Sequence, residues 1–369
     1  MKPCLVEMNT KPIGVAVAGL GFGEAVHLAA LAASPHLQPV ALWHPRRERL
    51  DEAKAVHGLP GYVEWDALLA DPQVDAVIIA TPPSPRFELA RQALEAGKHL
   101  LLEKPVALNA ELVRELQRLA IAGGLSVGVD FEYRAVPLFM QAARMLSSGA
   151  IGTPWLVKLD WLMSSRADSG RAWNWYSDAS QGGGVIGALG THAFDMLAWL
   201  FGPLVDVKGL NSISISERPH PQKGFAPVDA EDVSLVQCKL QWLGQAEQLL
   251  PAQITLSSVA RNGRGCWLEI YGSEGSLVLG SENQKDYVHG FGLWHAGIGE
   301  LPRSIAVDPD LAFDTTWTDG RVAPVARIQA WWAESILSGR PMVPGLLEGE
   351  ASQKACDQDP GRVSLTHTF

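Results

Sequence analysis

The chain has 369 residues, enough for two domains of ordinary size, each with its own hydrophobic core. Its formal net charge of −10 argues against a nucleic-acid partner. We expect a cytoplasmic protein without a membrane partner, because no apolar run approaches the roughly 20 residues of a membrane span and residues 1–10 lack a signal-peptide core. The cysteines show neither metal-ligand spacing nor a disulfide pattern, so no metal site is predicted: Cys4, Cys238, Cys266 and Cys356.

The first 130 residues alternate short apolar runs with helical patterns, which predicts a doubly wound parallel sheet. Strands are predicted at residues 13–18, before 43, at 74–80, and within "KHLLLEKPV" and "LSVGVDF". Helices are predicted at residues 24–33, 46–56, 87–96 and from 109 onward, with Gly97 and Asn109 as capping residues. We therefore predict an α/β fold whose first domain spans residues 1–130.

The second domain is placed at residues 131–369, and from about residue 150 its pattern differs, with longer strands joined by turns. "DVSLVQCKLQWL" and "CWLEIYGSEGSLVLG" are typical of an antiparallel sheet. Only two substantial helices are predicted here, at 185–201 and 325–338, and residues 281–309 are predicted to form a long loop. The second domain is thus predicted to be α+β, with a large, mainly antiparallel open sheet.

Three glycines, Gly19, Gly21 and Gly23, separate the first strand from its helix in "VAVAGLGFGEAVH". Glycines here permit a tight turn and close approach of backbone to a pyrophosphate at the helix N-terminus. The motif alone is weak, and an ordinary βα turn is the alternative, but the surrounding βαβ pattern favours a dinucleotide site. The usual third glycine is replaced by Glu24, which either alters helix–strand packing or places a charge near the phosphates.

The end of the second strand, "LWHPRRER", bears on cofactor choice. An NAD-specific fold usually offers an acid to the ribose hydroxyls at this point. Here His44, Arg46 and Arg47 precede the first acid, Glu48. A basic cluster suits a 2′-phosphate, so NADP is predicted as the preferred cofactor over NAD, with a solvated helix start as the alternative.

"LLLEKPV" ends an apolar strand with Glu103 and Lys104. Ligands of doubly wound sheets bind beyond the carboxyl ends of the strands, so Lys104 is predicted to face the cofactor cleft rather than form an exposed charge pair. In "RAWNWYSDASQGGG", tryptophans present flat faces suited to a carbohydrate, with core packing as the alternative. In "DFEYR", Glu132 and Arg134 are expected to pair across the domain interface rather than contact ligand.

Four segments, Gly19-Leu-Gly-Phe-Gly, "ATPPS", "ALEAGKHLLLEKPVAL" and "GGGVIGALGTHAFD", together resemble the Gfo/Idh/MocA family of nicotinamide-dependent oxidoreductases. The resemblance implies a Rossmann first domain and hydride transfer to or from a sugar, cyclitol or related cyclic alcohol or ketone. It also implies a homodimer or homotetramer formed through the second sheet. The family's cleft lysine matches Lys104, and its second-domain histidine matches His192.

Lys104 and His192 are therefore the predicted catalytic residues. Lys104 would hold or protonate the reacting oxygen, and His192 would bind the same hydroxyl or relay its proton, because imidazole titrates near neutral pH. The predicted substrate-binding residues are Lys104, Trp173, Trp175, His192 and Asp195. The predicted cofactor-binding residues are Gly19, Gly21, Phe22, Gly23, His44, Arg46, Arg47, Thr81, Pro82, Glu103 and Lys104.

Two positions depart from the family pattern. Ala188 stands where an aspartate usually precedes the histidine by four residues, and Arg86 stands where many relatives have a histidine. Two alternative functions are also considered. One is an eliminase of the same family that cleaves glycosidic bonds through transient oxidation, and the other is a sensor that binds dinucleotide without turnover. The absence of the acid at Ala188 keeps the sensor open, whereas Lys104 and His192 together favour an enzyme.

Overall fold

The structure, a computed structural model, describes residues 11–242, 248–283, 286 and 288–358. Cys4 and the segment tested for a signal peptide, residues 1–10, lie outside this part. The first sheet is parallel, as predicted, and has six strands in the order β3-β2-β1-β4-β5-β6, of which the short β3 was not predicted. Its strands are β1 Ile13–Ala18, β2 Leu37–Trp43, β3 Gly61–Tyr62, β4 Ala76–Ile79, β5 His99–Leu102 and β6 Val127–Val129. The strand order reverses between β1 and β4, where such sheets bind ligands.

The helices that follow these strands are α1 Leu28–Leu31, α2 Arg47–His57, α3 Trp65–Leu69, α4 Pro83–Glu95 and α5 Ala110–Gly123. A π-helical turn, Gly23–His27, leads from the glycine motif into α1. The predicted caps are confirmed: Asn109 Oδ1 accepts from the Leu112 amide at 3.0 Å, and Gly97 follows α4 with a φ of 75°.

The second sheet has eight strands in the order β16-β15-β14-β13-β7-β12-β11-β8. Its strands are β7 Pro154–Leu162, β8 Leu204–Ser212, β11 Val233–Gln241, β12 Leu249–Ser257, β13 Gly265–Gly272, β14 Gly275–Ser281, β15 Gly292–Gly297 and β16 Arg303–Ser304. A separate hairpin pairs β9 Glu217–His220 with β10 Gly224–Pro227. Neighbours in the large sheet are antiparallel except β7 and β12, so the predicted mainly antiparallel sheet is confirmed.

Four longer α-helices lie in this half of the described chain: α6 Pro137–Ser147, α7 Thr191–Phe201, α8 Val322–Ser338 and α9 Leu346–Asp357. The prediction of only two was therefore wrong, because α6 and α9 were missed. The predicted loop at 281–309 was also wrong, since this segment contains β15 and β16. A π-helical turn, Ile186–Gly190, leads into α7, and such turns recur at functional sites.

The last two helices pack against the first sheet. Trp332 of α8 is fully buried in a cluster with Val15 and Leu42, and α9 contacts α5 and β6. The division near residue 130 stays a prediction. The two sheets are formed by residues on either side of residue 130. The hydrophobic core of the first sheet, however, also includes Trp332 of α8.

One continuous helical stretch, Ala179–Phe201, is long and apolar enough to cross a membrane by length and composition. In this fold 78% of an apolar 18-residue segment of this stretch is buried. Internal helices share that composition, and here the stretch packs inside the second domain, where Phe194 and Phe201 of α7 are fully buried.

The second sheet has one face in the core and one face outward. Burial alternates along β11 and β12, as expected when helices cover a single face. The outward face carries several exposed large apolar side chains: Leu156, Leu210, Leu235, Leu249 and Tyr271. Leu210 and Leu235 are direct cross-strand partners, so the apolar patch is continuous across β8 and β11.

Candidate active site

A cavity of about 1000 Å³ lies beyond the carboxyl ends of β1, β2, β4 and β5, where the two sheets meet. The first domain contributes the glycine turn, the end of β2 and the loops after β4 and β5. The second domain contributes the segment after β7, the aromatic pair before the glycine cluster and the π-helical turn before α7. Both predicted catalytic residues line this one cavity, Lys104 from the first domain and His192 from the second.

The glycine turn is built for close approach of backbone. Gly19 has a φ of 97°, and a Cβ there would lie 2.7 Å from the Ala80 carbonyl. A Cβ on Gly23 would lie 2.9 Å from Val17 Cγ1, so Gly23 permits the tight helix–strand packing that the motif's third glycine usually provides. A Cβ on Gly21 would meet nothing within 4 Å, because Gly21 faces the open cavity. The turn therefore fits a dinucleotide pyrophosphate.

Glu24 does not leave a free charge beside this turn. Its carboxylate accepts from Arg49 and from His57, the latter at 3.1 Å, and both partners lie on α2. Glu24, which stands in place of the motif's third glycine, thus forms an ion-pair cluster with α2.

The structure brings only part of the predicted ribose site to the cavity. His44 lines the cavity with Trp43 and Pro45, whereas Arg46 and Arg47 do not line it and are exposed at the start of α2. His44 Nδ1 accepts from the Arg46 amide at 3.1 Å, and burial lowers the pKa of His44. Neither of the lining residues directly after β2, His44 and Pro45, is acidic.

The predicted contacts Phe22, Thr81 and Pro82 all line the cavity. Thr81 is buried, and its hydroxyl has no hydrogen-bond partner among the described residues. A buried hydroxyl without a protein partner at the wall of a cavity is suited to a bound ligand. This observation supports a dinucleotide that extends from the glycine turn along the end of β4.

Arg86 holds the loop that carries Lys104. Its guanidinium donates to the Glu103 carbonyl at 2.6 Å and to the carbonyls of Thr81 and Pro105. Burial lowers the pKa of Arg86 to about 10, so it remains charged at neutral pH. The departure from the family's histidine therefore puts a buried cation behind the loop.

Glu103 is anchored from below by a buried hydrogen-bonded cluster. Gln329 donates to His27 Nδ1 at 3.2 Å, and His27 Nε2 then donates to Glu103 at 3.0 Å. Burial acts to raise the pKa of Glu103, but the His27 hydrogen bond and nearby positive charge hold it below its ordinary value. Burial and the Glu103 charge raise the pKa of neighbouring Asp130 well above its ordinary value. Ligand atoms of His27, Glu103 and Asp130 lie within 4.8 Å of one another, the only metal-sized group of this kind in the described part of the chain.

Lys104 reaches across the cavity to the second domain. Its ammonium group donates to the carbonyl oxygen of Ala188 at 3.1 Å. No ion pair of Lys104 is present among residues that the structure describes. The lysine is thus fixed at the position where the family's aspartate usually stands, by backbone rather than by a carboxylate.

His192 is held by aromatic rings. Its imidazole is 4% exposed and packs edge-on against Tyr133 and Phe131, with ring-centroid distances of 5.0 and 6.2 Å. Burial, with the Lys104 charge, lowers the pKa of His192 well below its ordinary value. The expectation that this imidazole titrates near neutral pH was therefore wrong, because desolvation keeps it neutral there.

Glu132 is the site residue that the sequence analysis missed. It lines the cavity, and its Oε1 lies 3.7 Å from His192 Nε2, so it does not pair across the interface as expected. Burial raises the pKa of Glu132 to about 8, opposed by the Lys104 charge. A carboxyl group thus faces the imidazole after all, supplied from the end of β6 rather than from residue 188.

Two predicted substrate contacts do not reach the cavity. Asp195 is buried behind the site, where its two oxygens accept from Arg134 at 2.8 and 2.7 Å. Trp173 lies outside the lining, and its Nε1 donates to the Pro227 carbonyl at 2.9 Å. Trp175 does line the cavity and stacks on Tyr176 with a centroid distance of 3.8 Å.

A dinucleotide-type glycine turn that shares a cavity with proton-carrying side chains is the arrangement of a nicotinamide-dependent oxidoreductase. Comparison with known proteins agrees. The family model described as "Oxidoreductase family, NAD-binding Rossmann fold" matches residues 13–131, and that of the GFO/IDH/MocA C-terminal domain matches residues 139–278. The chain belongs to the Gfo/Idh/MocA family and is a dehydrogenase or reductase.

Relatives with known sequences include an uncharacterized oxidoreductase of Synechocystis sp., sll0816, which is 44% identical over 346 residues, 93% of this chain and 92% of that protein. Levoglucosan dehydrogenase of Pseudarthrobacter phenanthrenivorans is 28% identical over 301 residues, 74% of this chain and 75% of that protein. Both similarities extend across the two domains.

Solved structures show the same fold. An oxidoreductase domain protein from Kribbella flavida has a TM-score of 0.84 at 24% identity, covering 97% of this chain and 98% of that one. A levoglucosan dehydrogenase in complex with NADH and levoglucosan has a TM-score of 0.83 at 23% identity, covering 96% and 98%.

Proposed function

We propose that this enzyme is an NADP(H)-preferring oxidoreductase that interconverts an alcohol and a ketone on a sugar, cyclitol or related ring. The observation that carries the proposal is the meeting of Lys104, His192 and Glu132 on the cavity that also contains the glycine turn. Levoglucosan dehydrogenase, a relative, bears a sugar-derived substrate in its name and has been solved with NADH and levoglucosan.

When bound, the nicotinamide ring supplies the redox chemistry, which is acceptance or donation of a hydride. The protein must then handle the hydroxyl proton. Lys104 is placed to bind the reacting oxygen by hydrogen bond, since its ammonium is already fixed at the cavity wall by Ala188. His192 is neutral at physiological pH, so its imidazole is free to accept that proton.

Glu132 supports the proton acceptor. An ionised carboxylate 3.7 Å from His192 Nε2 stabilises the imidazolium that forms when the proton arrives. We assign to Glu132 the role that the family's aspartate would have from position 188. It is a positioning and charge-stabilising residue, while Lys104 and His192 touch the substrate oxygen.

The NADP preference rests on the end of β2. The lining residues directly after β2, His44 and Pro45, include no acid that would repel a ribose 2′-phosphate. The carboxylate of nearby Glu24 is paired with Arg49 and His57. Arg46 and Arg47 are exposed beside His44, within the segment that faces the adenosine ribose in this fold. We propose that they bind the 2′-phosphate from the rim of the cavity.

The test is NADP- and NAD-linked turnover by the purified chain on a panel of sugars, keto-sugars, cyclitols and glycosides, followed by absorbance of the reduced cofactor. Lys104→Ala should cost about 10²–10⁴ in turnover while dinucleotide binding survives, and His192→Ala should cost somewhat less. Lys98→Ala is the matched control, because Lys98 also donates to a backbone carbonyl, that of Val74, away from the cavity.

Near-native turnover by both Lys104→Ala and His192→Ala would place the chemistry elsewhere. Dinucleotide binding without turnover on any panel member would favour the sensor. Cleavage of glycosides without net cofactor reduction would favour the eliminase.

We further propose that the outward face of the second sheet pairs two subunits, in a dimer or tetramer. Its continuous patch at Leu210 and Leu235 is the support, since large exposed apolar patches mark contact surfaces. Light scattering at micromolar concentration should show a dimer or tetramer, and Leu210→Glu with Leu235→Glu should dissociate it. A monomeric wild-type chain would contradict the assignment.

A further inference from the structure

Arg166 lies on the second-domain side of the cavity, in the segment after β7. Its guanidinium stacks on the Tyr176 ring, with Cζ 3.8 Å from the centroid. Tyr176 is in turn stacked on Trp175, so an aromatic pair supports the flat face of the cation. This stacking fixes the plane of the guanidinium and leaves its N–H groups at the edge.

The other arginines that line the cavity are already used by the protein. Arg86 donates to three carbonyls, Arg171 donates to the Ser165 carbonyl at 2.6 Å, and Arg321 pairs with Asp319. The Arg166 guanidinium, by contrast, has no hydrogen bond or ion pair with any residue in the described ranges. A half-buried guanidinium without an acceptor is costly, because its five donors lose water without replacement.

The segment around Arg166 is unusually well fixed. Arg218 donates to the carbonyls of Arg166 and Asp168, at 2.7 and 2.8 Å, and Arg261 donates to that of Ala167 at 2.8 Å. The backbone amide of Arg166 donates to the carbonyl of Ser258, directly after the interior strand β12, at 2.8 Å. Such a supporting set of hydrogen bonds preorganises a side chain for binding.

Two acids lie near this arginine on the wall of a small adjoining cavity, Glu231 and Asp232. Neither forms an ion pair with it, and each carboxylate accepts from at least one backbone amide. Glu231 accepts from Ile186 at 2.9 Å, and Asp232 accepts from Ser214 and Ile215. Burial lowers the pKa of Arg166 to about 10, with smaller contributions from the neighbouring Arg171 and Arg218 charges and an opposing one from Tyr176.

We propose that the substrate carries an anionic oxygen group, a carboxylate or a phosphate, and that Arg166 is its counter-ion. This rests on the proposed function, since it specifies which ring compounds the oxidoreductase accepts. A planar guanidinium matches either group through two parallel hydrogen bonds. The cofactor's phosphates have their own site at the glycine turn of the first domain, whereas Arg166 belongs to the second-domain wall with Trp175 and Tyr176.

The experiment compares neutral rings with their acidic counterparts, using the full chain and both dinucleotides. The sets are D-glucose, D-glucuronate and D-glucose 6-phosphate; D-galactose and D-galacturonate; and myo-inositol and its 1-phosphate. Turnover is measured by cofactor absorbance, and binding to the dinucleotide-loaded protein by calorimetry. We expect the acidic member of at least one set to have a kcat/KM about 10- to 100-fold above its neutral counterpart.

Arg166→Gln should remove that difference by raising KM, and Arg166→Lys should retain part of it, because lysine keeps the charge without the fork. Dinucleotide affinity should change less than about twofold in both variants. Arg118→Gln, an exposed arginine of α5, is the matched control and should change nothing. Carboxylate and phosphate members of the glucose set distinguish the two anions.

Equal or better use of the neutral rings would overturn this inference and leave the proposed function intact. Equal loss of dinucleotide and substrate affinity in Arg166→Gln would also overturn it, by assigning the arginine to the cofactor. No calorimetric binding of any anionic ring would count against it. Absence of turnover on every ring, with dinucleotide and anionic rings still bound, would instead refute the proposed function.

Discussion

The ammonium group of Lys104 donates a hydrogen bond to the backbone carbonyl of Ala188, 3.1 Å away, and so joins the two domains at the site of chemistry. A side chain at position 188 would project beside both this ammonium and, four residues on, the imidazole of His192. The family's missing aspartate is therefore testable without touching either catalytic residue.

Ala188→Asp should shift the pH–rate profile of alcohol oxidation. A carboxylate beside His192 stabilises the charged imidazolium and raises the pKa of His192. Because the proton acceptor must be uncharged, the limb where activity rises with pH should move to higher pH. Ala188→Asn, of the same shape without the charge, is the control, and superimposable profiles for wild type, Asn and Asp would contradict this prediction.

Glu132→Gln tests the residue that faces His192. The pKa of Glu132 is raised to about 8 by burial, so its carboxylate forms as the pH passes that value. Wild-type oxidation should accelerate through this range, whereas the Gln variant should lack that limb and lose about tenfold to 10³-fold in turnover at pH 9. Glu132→Asp should restore the limb in part. A Gln variant with an unchanged profile would show that another group stabilises the imidazolium.

The same carboxyl group makes a prediction about stability. Its folded pKa of about 8 exceeds its ordinary value of 4.5, so the native state holds a proton that the unfolded state releases between these values. The free energy of unfolding contributed by Glu132 therefore falls as the pH rises from about 4.5 to about 8. In urea titrations, Glu132→Gln should gain stability relative to wild type across this range. A constant difference at pH 5 and pH 9 would be inconsistent with a shifted carboxyl.

Arg46→Ala combined with Arg47→Ala should weaken NADP binding much more than NAD binding. Charge-assisted bonds to the 2′-phosphate contribute about 1.5–3 kcal/mol each, so loss of both arginines is expected to weaken NADP binding by about 10²- to 10⁴-fold. Calorimetric affinities for both dinucleotides provide the measurement. Arg114→Ala, on the distant helix α5, is the control. A native preference for NAD, or equal losses for both cofactors, would refute the assignment.

Asp195→Ala should destabilise the fold rather than alter substrate recognition. Asp195 and Arg134 form a buried two-bond ion pair, and removing one partner of such a pair costs about 3–5 kcal/mol. Arg134→Met with Asp195→Leu should recover much of that loss, because no buried charge is left unpaired. Urea unfolding gives the stability, and KM serves as the second readout. A raised KM with unchanged stability would contradict this prediction and indicate that Asp195 contributes to substrate binding.

The residues that were found from sequence lie where spacing and topology coincide. Gly19 and Lys104 each follow a buried strand of a parallel sheet, so the rule that ligands bind at carboxyl ends placed both in one cavity. Glu132 follows β6 in the same way and could have been found by the same rule. It was missed because Glu132 was expected to form an ion pair across the interface together with Arg134, whereas Arg134 pairs with Asp195 inside the second domain.

Other features depend on contacts that no local pattern encodes. Trp173 and Trp175 are two residues apart, but a short helical turn begins at Trp175, where Asn174 Oδ1 accepts from the Tyr176 amide. Only the second ring therefore enters the cavity. Strand β15 was taken for a loop because residues 281–309 have a weak periodic pattern, and the glycine at its start, Gly292, lies where a Cβ would meet the Trp294 ring at 2.3 Å. The position of the Trp294 ring in the folded chain explains why residue 292 is glycine, and the sequence alone does not show this contact.

The hydrogen bond from Gln329 of α8 to His27 connects this helix, through the bond of His27 to Glu103, to the loop that carries Lys104. During synthesis on the ribosome, α8 emerges only after both sheets have been made, since it begins at Val322. The first sheet must wait for Trp332 to complete its core, although its own strands end at Val129. Nascent chains stopped before α8 should therefore neither resist protease nor retain dinucleotide, and competence to bind cofactor arises only after α8 has left the ribosome.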